Sequence, residues 1–363
     1  NNVAIGNSAL EGVEGQSTGQ HNIAIGAMAG CSNTTGCSNT FMGRYAGRSN
    51  TTGVHNNFIG QNAGTSNTEG TNNNFIGVSA GLNNTSGKYN NFFGRCAGYS
   101  NLDGNHNIFM GVNARKNNTS GDSNIFMGVG AGACSTNGFH NVFMGAAAGS
   151  NNTDGSCNVF IGRCAGFANT SGCHNNFFGF FAGLSNSTGR FNNFLGCKAG
   201  CSNTSGYDNN FFGRSAGLYN TEGFNNNFFG ASAGRSNTTG RFNNFFGQCA
   251  GYENLTGKDN NYFGSRAGQF NTSGCDNTFI GRYAGRRNVT GCSNTFIGRF
   301  AGRFFTVSNN VAIGNSALEG VSGQSIGAAN IAIGAMAGFG NTSGNNNIFF
   351  GNCAGYANTT GSS

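Results

Sequence analysis

The stretch Asn90 to His106 reads NNFFGRCAGYSNLDGNH, the next seventeen residues read NIFMGVNARKNNTSGDS, and the seventeen after that read NIFMGVGAGACSTNGFH. A Phe and a Gly stay in place while the letters between them drift. Aligned on that Gly, the chain divides into 21 turns that open at Asn2, Asn22, Asn39, Asn56, Asn73 and so on to Asn347. From Asn22 to Asn294 every step is 17 residues, without insertion. The consensus is N-x-F-[FIM]-G-x-x-A-G-x-x-N-T-x-G-x-x, and Asn at position 1, Gly at position 5 and Ala at position 8 occur in every turn. A fixed short period of this kind is the signature of a solenoid or array.

Two recurring glycines exclude a helix within each period. The core x-F-F, bounded by Asn and Gly, reads as a short strand. The N-T-x-G segment reads as a turn, in which Asn bonds the local backbone and Gly supplies positive φ. The expected unit is a turn of about two short strands and two tight corners. Such turns stack in parallel about 4.8 Å apart, so the array would extend roughly 100 Å. The predicted fold class is therefore all-β, a parallel β-solenoid (β-roll) spanning residues 1–363.

Stacking turns positions into columns. Position 1 becomes a ladder of amides, with Asn90, Asn107, Asn124 and Asn141 as representative rungs, which hydrogen-bond along the axis. Positions 3 and 4 are apolar or aromatic in every turn, as in Phe92–Phe93, Phe109–Met110, Phe211–Phe212 and Phe228–Phe229. Neighbouring strand residues face opposite ways, so one column fills the roll and the other forms an outward apolar stripe. A stripe that long is expected to be covered by identical neighbours. The sequence leaves open which of the two positions faces inward.

Composition agrees with a stacked repeat. The chain has 65 Gly, 35 Phe, no Pro and no Trp, and only 9% of its residues are charged. The net charge is +7. Its sharpest basic cluster is Arg282, Arg286, Arg287, Arg299 and Arg303, which reads as solvated loop ends and is too narrow for a nucleic-acid stripe. No segment approaches the roughly 20 continuous apolar residues of a membrane span. The chain does not begin with Met and carries no signal-like segment, so it reads as a mature piece or a window of something longer.

Two places read differently. NNVAIGNSALEG at Asn1 to Gly12 returns unchanged at Asn309 to Gly320, and each copy is followed by NIAIGAMAG, at Asn22 and at Asn330. The step from Asn2 to Asn310 is a second, longer period, so residues 309–363 begin a second copy of a 1–308 super-repeat. The words VAIG at Val3–Gly6 and Val311–Gly314, each after an Asn, resemble the YadA-like head repeats of trimeric autotransporter adhesins. The close match covers four turns; the other seventeen keep the Asn, Gly and Ala but carry Phe or Tyr at the motif's Ala. The resemblance implies a left-handed parallel β-roll, a trimer of such rolls, and an adhesive or fibrous role at a surface. The 13 Cys depart from that family's pattern.

Candidate chemistry is sparse. Cys275 and Cys292 share a repeat position on adjacent turns, which places them within reach of a disulfide staple and favours an oxidising, extracellular setting. Asp259 and Asp276 also share a position, but nothing in the pattern builds a cleft around them, so no catalytic residue is expected. No CxxC pair or recurring His points to a metal, and no cofactor motif is present. N-x-[ST] sequons open at Asn33, Asn50, Asn169, Asn203, Asn237 and Asn271, among others, and are candidate glycosylation sites beside their plain reading as turn formers. The expected function is an extracellular structural fibre, filament or adhesin on a cell or virion surface, associating with itself. The rival reading is a carbohydrate- or ice-binding module that uses the Thr column next to those Asn.

Overall fold

The computed structural model describes residues 1–12 and 14–362. It contains 21 strands of three residues each, numbered from β1 (Val3–Ile5) to β21 (Ile348–Phe350), one per turn, and no helix among the described residues. The chain gathers into two compact units. The first comprises Asn1–Phe181 with Asn186–Thr188, and the second comprises Ala182–Ser185 with Gly189–Ser363. Each is an all-β parallel solenoid with the 17-residue period read from the sequence.

In the first unit neighbouring strands pair in parallel and in exact register with the repeat, Phe75 opposite Phe92 and Phe92 opposite Phe109. In the second unit Phe211 stands opposite Phe228, and Phe228 opposite Phe245. From β2 (Ile23–Ile25) onward the middle residue of each strand is buried and points inward. Phe92, Phe109, Phe211 and Phe228 are completely buried. Position 3 is thus the core column, and position 4 is the outward one. Inward rings stack face to face, with centroids 4.6 Å apart between Phe92 and Phe109 and 4.7 Å between Phe211 and Phe228.

Each turn holds one strand, not the two expected. The rest of the turn still bonds rung to rung but cannot alternate as a ladder does. Gly47 N donates to Ala63 O at 2.9 Å and Ser49 N to Thr65 O at 2.9 Å. The N–H groups of Thr51, Thr52 and Gly53 then all converge on Thr68 O, at 3.0, 3.1 and 3.2 Å. Two corners are made by residues other than Gly in the left-handed region. At position 7, Cys96 has φ 56° and Ser215 has φ 57°; at position 17, His106 has φ 56° and Asp208 has φ 54°.

Glycine prevails where backbone meets a ring and is invariant where it meets another rung. At position 9, Gly98 has φ +59°, and a Cβ there would lie 2.5 Å from the Phe92 ring. At position 5, Gly94 has φ +135°, and a Cβ would lie 2.7 Å from Gly111 O on the next rung. The VAIG-like turns carry Ala at position 3 and fill the space otherwise. Leu318 replaces the position-9 Gly, is fully buried, and reaches the backbone of Gly338 above Ala332. Leu10 stands in the same way against Gly30 beside Ala24. The interior volume is kept by moving it from one position to another.

The burial difference between the columns gives an expected pair of outcomes. Phe211→Ala should lower the unfolding free energy by about 3–5 kcal/mol, as for a fully buried Phe. Phe212→Ala in the same chain should cost less than half of that. Denaturant titration followed by circular dichroism measures both; equal losses would contradict the assigned facing.

Candidate functional surface

Two columns of Asn side chains run through most of the turns, and a third runs through some of them. At position 1 the amides are buried from Asn22 onward, and Asn107 uses its donors and acceptors in full. Oδ1 of Asn90 accepts from the backbone N of Asn107 at 3.0 Å and from its Nδ2 at 3.1 Å. Nδ2 of Asn107 also donates to Gly121 O at 2.9 Å. Asn124 and Asn141 repeat the arrangement. An amide has two donors and two acceptor lone pairs, and here each finds a partner. The ladder expected from the sequence at Asn90, Asn107, Asn124 and Asn141 is therefore present in the first unit.

Position 12 forms a second buried ladder that sequence reading took for a turn. Nδ2 of Asn50 donates to Asn33 Oδ1 at 2.8 Å and to Gly53 O at 3.0 Å. This overturns the glycosylation reading. Asn33 is 6% exposed, and Asn50, Asn169, Asn203, Asn237 and Asn271 are wholly buried. A glycan attaches through Nδ2, and in this fold that atom faces the interior and holds the ladder. The Thr that follows is also engaged: Thr51 Oγ1 donates to Thr68 O at 3.1 Å. The Thr column is a structural ladder, which weighs against an ice-binding face.

The second ladder ends at Phe305 and Val321, which stand where most turns have Asn, and it is disturbed at two further places, each with an identifiable cause. Tyr262 is the one core ring in its column with a hydroxyl, and burial pushes its pKa well above the usual value. Asn271 Nδ2 donates to the Tyr262 hydroxyl at 2.7 Å rather than to the ladder. Oδ1 of Asn254, Oδ1 of Asn271 and both amide atoms of Asn288 are left without partners.

The other failure lies in the first unit, where Arg115 occupies the position-9 Gly site and is completely buried. On the next turn the position-12 residue is Ser135, not Asn. Arg115 Nη2 reaches into that gap and donates to Gly138 O at 2.8 Å, the bond that an Asn at 135 would make. The guanidinium lies over the rings of Phe109 and Phe126, 5.6 and 5.0 Å from their centroids. Arg115 Nε and Nη1 and Ser135 Oγ have no partner. Burial pushes the Arg115 pKa down to about 9, with Asp122 opposing the shift.

The cysteines do not form staples. All 13 are free thiols, Cys275 and Cys292 included. The two stand on adjacent rungs as expected, and Cys275 N donates to Cys292 Sγ at 3.1 Å. In-register stacking points both Cβ atoms the same way at a separation near the 4.8 Å rung spacing, wider than the 3.5–4.5 Å of disulfides. Burial pushes the Cys275 thiol up, which keeps it in the less reactive neutral form. Among the described residues no three His, Cys, Asp or Glu side chains converge as a metal site.

What remains is the outer face of the strands. Position 4 carries Phe93, Met110, Phe212 and Phe229, and Met110 is 39% exposed. Their exposure is limited because each rung covers the next. Phe212, Phe229, Phe246 and Phe263 stack at 4.7, 4.7 and 4.8 Å, within 4° of parallel. Beside this phenyl stack, position 2 forms a third amide ladder, Asn210 to Asn227 to Asn244 to Asn261, each step 2.8 Å. The sequence signal for it was an Asn doublet at the head of these turns. No protein-family model matches the chain, and no curated protein matches it.

The Tyr262 defect yields an unusual expectation. Deleting a buried hydrogen bond normally costs about 1 kcal/mol. Tyr262→Phe should instead raise stability by about that amount, because Asn271 is released to partner Asn254 and Gly274. A melting temperature that falls in this variant would contradict the reading.

Proposed function

We propose that the protein is a structural element of an extracellular fibre or filament, or an adhesin, at a cell or virion surface. Its copies associate through the position-4 column. The observation that supports this is the column itself: it is apolar in every turn, and Leu195, Phe263 and Ile280 are 37%, 40% and 40% exposed in a single copy. Adjacent rungs cover the ring faces, and the outer edges stay in water. Burying such edges is favourable at about 25 cal/mol per Å².

A second copy is the natural cover. It carries the same period, so each of its side chains meets an equivalent site without slipping out of step along the axis. The position-2 amides beside the stripe then form the polar border of the contact. The resemblance to YadA-like heads favours three copies about an axis.

The test is sedimentation of the unmodified protein beside a variant carrying Phe212→Asp, Phe229→Asp and Phe246→Asp. The unmodified protein should sediment as an oligomer at micromolar concentration. The variant should keep its far-UV dichroism and run as a monomer. A folded monomer in the unmodified protein would contradict the proposal.

A further inference from the structure

Most of the net charge sits on three consecutive turns of the second unit. Residues 260–308 contain six Arg, no Lys and one acid, Asp276, so they carry +6 − 1 = +5 of the chain's +7. The six are Arg266, Arg282, Arg286, Arg287, Arg299 and Arg303, all at positions 6, 7, 10 or 11 of their turns, so stacking brings them onto one corner. Among the described residues only Arg303 meets a carboxylate, Glu319 at 3.2 Å.

Neutral groups hold the others in place. Arg286 Nε donates to Gln269 Oε1 at 2.9 Å. Arg266 Nη1 and Arg282 Nη2 donate to the Tyr283 hydroxyl at 3.0 and 3.3 Å. Arg287 Nη1 donates to Ser322 Oγ at 3.2 Å. Each of these guanidiniums is oriented by one or two of its five N–H groups and keeps others for a ligand. The cations also crowd one another: burial first, then the charges of Arg303 and Arg266, pushes Arg286 below its usual pKa.

Beside it lies a cavity of about 380 Å³ lined by Phe270, Arg287, Val289, Phe304, Thr306 and Gly323. Its walls are apolar apart from one guanidinium and one hydroxyl. That combination suits a molecule with a C–H-rich ring and an anionic substituent, such as a sulfated sugar.

The aromatic rings distinguish between polyanions. Proteins that hold single-stranded nucleic acid offer open aromatic faces on which bases stack. Here guanidiniums already cover those faces. Arg299 lies 4.5 Å from the Phe300 centroid, Arg303 4.6 Å from Phe304, Arg286 5.2 Å from Tyr283 and 5.1 Å from Phe270. Tyr283 and Phe300 are also stacked on each other at 5.4 Å. The surface offers forked N–H donors without base platforms. We propose that this corner binds a sulfated polysaccharide, with sulfates on Arg282, Arg287 and Arg299 and one sugar ring in the adjoining cavity against Val289 and Thr306. The site is separate from the position-4 stripe, and the two readings fail independently.

The experiment titrates the whole chain with a size-defined heparin oligosaccharide over a salt series. A single-stranded oligonucleotide of equal charge serves as the comparison. One variant carries Arg282→Gln, Arg287→Gln and Arg299→Gln, all three exposed in the fold. The control loses the same charge in the first unit, through Arg44→Gln, Arg48→Gln and Arg95→Gln. The heparin oligosaccharide should bind, and the cluster variant should weaken it about tenfold or more. The same variant should reduce the logarithmic salt slope by about 3. The control should retain the affinity of the unmodified protein, and the oligonucleotide should bind more weakly than heparin. The proposal is overturned if heparin does not bind at about 50 mM salt, where charge-driven binding is strong. Equal losses in both variants, or an oligonucleotide bound as tightly, would overturn it as well.

Discussion

The structure depends on one constraint: in each unit the residues of a 17-residue turn stand directly above their own counterparts, one rung away. Phe92 over Phe109 and Phe211 over Phe228 show the spacing, 4.6 and 4.7 Å. That distance suits a stacked ring, a backbone hydrogen bond and a primary amide alike, and each of these uses it. The roll is too thin for a core in which side chains choose among many neighbours. A buried polar atom must find its partner in its own turn or the next one. Asn meets this requirement because its two donors and two acceptors can be shared up, down and sideways, as at Asn107. The same constraint carries a cost at the corners, where left-handed residues other than Gly are disfavoured by about 1–2 kcal/mol each. Rung-to-rung bonding of nearly every backbone group offsets that cost.

Much of this was legible in the sequence because repetition reveals position. The period, the strand at x-F-F, the position-5 Gly against the next rung and the position-1 ladder all follow from letters that do not vary. What stayed hidden did so for physical reasons. Phe211 and Phe212 are the same residue type, so no composition rule separates inward from outward. Asn50 and Asn203 sit in N-T-[ST] words whose familiar meanings are turn and glycan acceptor, and only their burial shows that they form a ladder. The corners at Cys96, Ser215, His106 and Asp208 carry no common residue, because the chain's closure sets their φ and their side chains point to solvent. A second strand was expected from the length of the turn, but three N–H groups converging on one carbonyl replace it.

The departures from consensus obey the same constraint as the rule. Leu318 fills the space that Ala332 leaves, and Arg115 takes up the bond and the room that Ser135 gives away. Tyr262 shows what happens without compensation: one hydroxyl diverts Asn271, and Asn254 Oδ1 is left without a donor. Interior positions are therefore coupled between rungs by buried groups that must find partners, whereas outer positions stack where their residue types match and are otherwise served by water. That separation frees the surface to differ along the chain, with a phenyl stack at Phe212 to Phe263 and an arginine corner at Arg266 to Arg303, on turns that are nearly identical inside.

The coupling between Arg115 and Ser135 measures this directly. A thermodynamic cycle would compare the unfolding free energies of the unmodified chain, Arg115→Gly, Ser135→Asn and the double variant. Ser135→Asn alone should destabilise, because the guanidinium already occupies the amide's place. With Arg115→Gly present the same change should stabilise, by restoring the ladder and removing buried groups whose lost partners cost about 1–3 kcal/mol each. A large coupling energy, with this reversal of sign, is the predicted result. Additive effects of the two substitutions would contradict an interior fixed rung against rung.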